Sequence, residues 1–81
     1  MKVLVQMFAR AKDLAGGDTV EVTLDDGDTV GSLRRALAEQ APALAAILPH
    51  CLFAVNMEYA DDRATLPAGA SVACIPPVSG G

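Results

Sequence analysis

The chain has 81 residues with a formal net charge of −4, six basic against ten acidic side chains, and 52% hydrophobic residues. That length allows one domain with one core. The six Lys and Arg residues do not cluster and the aromatics number three, Phe8, Phe53 and Tyr59, so neither the basic footprint nor the stacking platform of a nucleic-acid binder is present.

The first segment, "KVLVQMF", alternates. Val3, Val5 and Met7 fall on one side and Lys2, Leu4, Gln6 and Phe8 on the other, which is the period of a strand. One lysine, then Gln6 and Arg10, break the run without a small-residue cleavage site, so a secretory signal is not expected, and no stretch approaches a membrane span. A cytoplasmic protein is the expectation. "ARAKDLAGGD" reads as a helical turn closed by Gly16 and Gly17, and "TVEVTL" alternates again through Val20, Val22 and Leu24. Together they predict a hairpin-like pair with a long connection.

"DDGDTVGSLRRALAEQAP" is the clearest helix. Thr29 or Asp28 supplies its N-cap, Val30, Leu33 and Leu37 recur at helical spacing, and Pro42 cannot continue the helix interior. Asp25, Asp26 and Asp28 precede it, either as a solvated cap favoured by the helix dipole or as an acidic patch for a partner. After "ALAAIL", Pro49 opens a new segment. "LFAVN" and "SVACI" read as two further strands, joined by "MEYADDRATLPAGA", where Pro67 and Gly69 bring turn chemistry. The order strand, strand, helix, strand, strand implies a two-layer α+β domain, its helix covering one face of the sheet.

If Val3, Val5 and Met7 meet the helix, Leu4 and Phe8 lie on the open face. Either Val72 and Cys74 or Ala73 and Ile75 join them there. A contiguous apolar group on such a face marks a partner site, whereas scattered ones are ordinary surface.

Conventional catalytic motifs are missing: the sequence has no GxGxxG, GxxxxGK[ST], HExxH or GxSxG. His50 is the only histidine, which argues against a metal site or an acid/base centre. Ser32, Ser71 and Ser79 lack an activating context. Cys51 and Cys74 sit in apolar runs with no CxxC spacing, the setting of buried hydrophobes; a disulfide, a persulfide relay or a redox switch stays open.

The end of the chain, "CIPPVSGG", is different in kind. Glycine packs no core and loses the most backbone freedom on ordering. Pro76 and Pro77 hold φ near the extended range, so "PPVSGG" should leave the last strand as a stiff stalk that loosens at Gly80 and Gly81. Four residues beyond Pro77 reach roughly 13 Å. The expected organisation is therefore a domain over 1–75 and a tail over 76–81, built for insertion into a narrow channel.

"FARAKDLAGG", "LFAVNMEYA" and "LPAGASVACIPPVSGG" resemble the small subunits of molybdopterin synthase, and the likeness runs over essentially the whole chain. The resemblance implies a ubiquitin-like β-grasp fold. It also implies that the chemistry belongs to the carboxylate of Gly81. A ubiquitin-activating-like adenylyltransferase would use ATP to make the acyl-adenylate, and a persulfide donor would supply sulfur to give a C-terminal thiocarboxylate. The tail of Pro76, Pro77, Val78, Ser79 and Gly80 would then enter the large subunit, in an assembly of two small and two large chains. There two carriers in turn would supply the dithiolene sulfurs of molybdopterin from cyclic pyranopterin monophosphate. By the same resemblance the chain binds no cofactor or metal and is no enzyme on its own, and Phe8, Tyr59 and Ile75 are candidates for the docking face. "AGG" at 15–17, Cys51 and Cys74 receive no role from it. The alternatives are a related carrier for thiamine or tRNA thiolation, a protein modifier joined through Gly81, and an interaction module with an idle tail.

Overall fold

The computed structural model describes residues 1–77. Strand β1 (Lys2–Met7) runs into helix α1 (Ala9–Ala15) and back through β2 (Thr19–Thr23); helix α2 (Val30–Gln40) follows, then two 3₁₀ turns, Pro42–Leu44 and Leu48–His50, then β3 (Leu52–Val55), β4 (Glu58–Ala60) and β5 (Val72–Ile75). The five strands form one mixed sheet in the order β2-β1-β5-β3-β4. β1 and β5 are parallel at its centre, with Val5 opposite Val72 and Met7 opposite Cys74; the other pairings are antiparallel. This is the ubiquitin-like β-grasp arrangement.

Alternation in β1 produces a strict division, with Val3, Val5 and Met7 buried and Lys2, Leu4 and Gln6 exposed. From β5 it is Val72 and Cys74 that turn inward, so Ala73 and Ile75 belong to the open face. Helix α2 lays Val30, Leu33 and Leu37 against the inner face, where Phe53, Val22, Leu44 and Leu48 complete the core. Each leucine so buried contributes about 1.5–3 kcal/mol. Thr29 is the N-cap: its Oγ1 accepts from the backbone N–H of Ser32 at 3.2 Å. Asp28 instead receives the N–H of Asp25 at 3.0 Å, closing the turn ahead of the helix.

Two sequence expectations need correction. "ARAKDLA" forms a seven-residue helix rather than one turn, ended by Gly16 in the left-handed region at φ 76°. And "MEYADDRATLPAGA" is not all connection, because Glu58–Ala60 pairs with β3 as β4. Three residues with no apolar alternation give too short a pattern to read, and the strand exists because a two-residue turn folds it back on β3.

Candidate functional site

The face of the sheet away from α2 is built by alternation and register. Gln6 of β1 pairs with Ala73 of β5, Ala73 with Ala54 of β3, and Ala54 with Tyr59 of β4. Two alanines in the middle of this row leave a low floor. Phe8, Met57 and Tyr59 stand around it, and together these residues line a shallow groove of ≈ 370 Å³ that extends to Ser71 and Ile75. Beside Ile75, Leu52 is its antiparallel partner. Among the described residues the large apolar side chains that are exposed are Leu4, Phe8, Leu52, Met57 and Tyr59, and they lie on the open face or at its rim. Phe8 is 46% and Tyr59 71% exposed. Of the three predicted docking residues, the groove brings Phe8, Tyr59 and Ile75 together.

The end of the chain leaves from the same place. Because β5 runs parallel to β1, its last residues arrive beside Phe8, whose backbone N–H donates to the Cys74 carbonyl at 3.3 Å. Pro76 is buried and Pro77 exposed, so the base of the proposed stalk is packed into the domain. The expectations for Val78, Ser79, Gly80 and Gly81 lie outside the described residues.

His50 is exposed in its 3₁₀ turn. Among the described residues no three His, Cys, Asp or Glu side chains come together as metal ligands. Both cysteines are buried and free, at 3% and 0% exposure. What the sequence did not disclose is that they meet. Phe53 pairs with Cys74 across β3 and β5, which places Cys51 diagonally across from Cys74 on the inner face. Cys51 Sγ donates to the Ile47 carbonyl at 3.3 Å. Burial, reinforced by the neighbouring Cys51, pushes the Cys74 thiol up to about 12; burial also raises Cys51. A thiol held protonated is a poor nucleophile. The pair belongs to the core.

The residues from 5 to 81 match the model of the ThiS family. The chain belongs to that family. It is 36% identical to the molybdopterin synthase sulfur carrier subunit of Chlamydomonas reinhardtii over 83 aligned positions, covering all of both chains. Among solved structures it is similar to the small archaeal modifier protein 1 of Haloferax volcanii, with 30% identity, a TM-score of 0.84 and coverage of 95% of this chain and 98% of that one. It is also similar to a chain of the Helicobacter pylori complex of molybdopterin-converting factor subunits 1 and 2, at 26% identity and a TM-score of 0.71 over the whole of both chains.

Proposed function

We propose that this member of the ThiS family is the sulfur carrier of a molybdopterin synthase, working as its small subunit in the cytoplasm. The observation that carries the reading is the joint position of groove and tail root: β5 brings Ile75 to the groove and hands the chain on through a buried Pro76. Docking on the open face would thereby deliver "VSGG" into a partner. The names of the full-length relatives support the same reading.

The chemistry is that of a carboxylate made electrophilic. An activating enzyme transfers AMP from ATP to the Gly81 carboxylate, with pyrophosphate leaving. The outer sulfur of a persulfide donor displaces AMP to give an acyl disulfide, and a second thiolate then attacks the donor-side sulfur, leaving the Gly81 thiocarboxylate and a disulfide between the donor and that thiol. That anionic sulfur is the nucleophile presented to cyclic pyranopterin monophosphate in the large subunit, two carriers serving the two dithiolene positions in an assembly of two small and two large chains. The side chains that move protons belong to the partners.

A second reading, a protein modifier joined through Gly81 to lysine, is favoured by the likeness to the archaeal modifier protein. Intact-mass analysis of the chain from its native host decides between them. A carrier shows replacement of one oxygen by sulfur at Gly81, and deletion of Gly81 abolishes this with the thermal midpoint unchanged. Full loading of the deleted chain, or Gly81 found only in isopeptide bonds, would overturn the carrier reading.

A further inference from the structure

The turn between β3 and β4 consists of Asn56 and Met57, with Val55 paired to Glu58 across it. Both turn residues have positive φ, 50° and 71°. A two-residue hairpin turn with two positive φ values is of the I′ type, whose second position strongly prefers glycine. Asparagine is well suited to the first position, but methionine at the second is strained, because its Cβ crowds the following carbonyl. Packing inside the domain does not offset that strain. Met57 is 96% exposed, the most exposed of the large apolar side chains among the described residues.

The tip is nevertheless held in place. The Asn56 backbone N–H donates to the Ser71 carbonyl at 2.7 Å, and Asn56 Oδ1 accepts from the Ser71 N–H at 3.0 Å. These two bonds tie the turn to the residue that enters β5. Met57 thus stands on a fixed platform at the edge of the groove it shares with Phe8, Tyr59 and Ile75. A side chain presented from a rigid backbone has less freedom to lose on binding. Its unbranched thioether adapts to an irregular opposing surface.

We infer that Met57 is an anchor for the protein that covers the open sheet face, and that the strained turn is kept in order to present it. The inference rests on the proposed reading, which supplies the occupant: the large subunit. A partner that takes the chain beyond Pro77 must lie over the ground beside Ile75, and Met57 borders the same groove.

The test separates the side chain from the strain. Met57→Gly removes both, Met57→Ala removes the side chain and keeps a Cβ at positive φ, and Met57→Leu keeps apolar bulk. Binding of each full-length chain to the large subunit is measured by calorimetric titration, beside its thermal midpoint. Met57→Gly is expected to melt ~4–8 °C higher, the shift that relief of modest strain produces in a domain of this size. The same variant is expected to bind about tenfold more weakly, a loss in the range of an interface anchor. Met57→Ala should bind as weakly without the gain in midpoint, and Met57→Leu should stay within about threefold of the unaltered chain. Because Met57→Gly is the more stable protein, its weaker binding cannot come from unfolding. Unchanged affinity of Met57→Gly, with the unaltered chain binding normally, overturns the inference and leaves the carrier reading standing. Failure of the unaltered chain to bind the large subunit overturns both.

Discussion

Arg34 Nη2 donates to Asp62 Oδ1 at 2.7 Å, closing a link between α2 and the loop after β4 that are 28 residues apart. The same guanidinium reaches the other way. Its Nη1 donates to the carbonyls of Leu48 and, at 2.8 Å, Cys51, and its carbon lies 4.9 Å from the centre of the Phe53 ring. One side chain therefore fastens the helix to the 3₁₀ turn, to the start of β3 and to the loop. The loop also lies close over the helix start, where the Gly31 N–H donates to the Asp62 carbonyl at 2.9 Å and a Cβ on Gly31 would stand only 3.2 Å from that oxygen.

Arg34→Ala is expected to destabilise the domain by about 2–4 kcal/mol, since it strips charged hydrogen bonds from two carbonyls of half-buried backbone. Asp62→Asn should cost under about 1 kcal/mol, because the Asp62 side chain is 55% exposed and a solvated ion pair adds little. Denaturant unfolding of the two variants checks the order. An Asp62 variant as damaging as the Arg34 variant would mean that the ion pair, not the carbonyl contacts, holds the link.

The thiol of Cys74 gives the stability a defined alkaline limit. In the folded chain burial and the adjacent Cys51 keep it protonated up to about 12, against an ordinary value of 9.0. The unfolded chain gives up its proton first, so the contribution is fully present below pH 9.0 and declines as pH rises from there towards about 12. Unfolding midpoints taken from pH 7 to pH 11 should fall more steeply in the unaltered chain than in Cys74→Ala. Parallel curves would mean that Cys74 ionises freely in the fold.

The core was largely legible and its contacts were not. Alternation in "KVLVQM" and the spacing of Val30, Leu33 and Leu37 identify buried faces because burial itself imposes the period. The choice between Val72 with Cys74 and Ala73 with Ile75 stayed open, since both pairs are apolar and only the register against β1 settles it. The register of β3 against β5 brings Cys51 to Cys74 from 23 positions away, a juxtaposition that no local pattern encodes. Phe8, Tyr59 and Ile75 follow from the family resemblance, and local alternation supports Phe8. The exposed Met57 carried no signal, because "NM" is not a recognised turn dipeptide and the positive φ appears only in the folded hairpin.

Sulfur loading should be independent of both cysteines. Both thiols are buried, and that of Cys51 is engaged with the Ile47 carbonyl, so neither is presented to a persulfide donor. A Cys51→Ala, Cys74→Ala double variant should fold with a loss of ~1–3 kcal/mol and still acquire a thiocarboxylate at the normal rate. A folded variant that is adenylated but takes up no sulfur would restore a cysteine relay.

Phe8 offers the most direct measure of docking. Its backbone belongs to the fold, accepting from the N–H of Ala11 at 3.0 Å and donating to Cys74, and these bonds do not depend on the side chain. The ring is a different matter. At 46% exposure it stands beside the groove, contributing only part of the packing a buried phenylalanine would. An aromatic anchor at the centre of an interface is commonly worth 2 kcal/mol or more when truncated. Phe8→Ala should therefore weaken binding to the large subunit by ~2 kcal/mol or more and lower folding stability by under about 1 kcal/mol. Calorimetric titration, with an unfolding curve of the same sample, reads both quantities. A stability loss as large as the affinity loss would assign the ring to the domain's own packing, and unchanged affinity would move the docking surface away from β1.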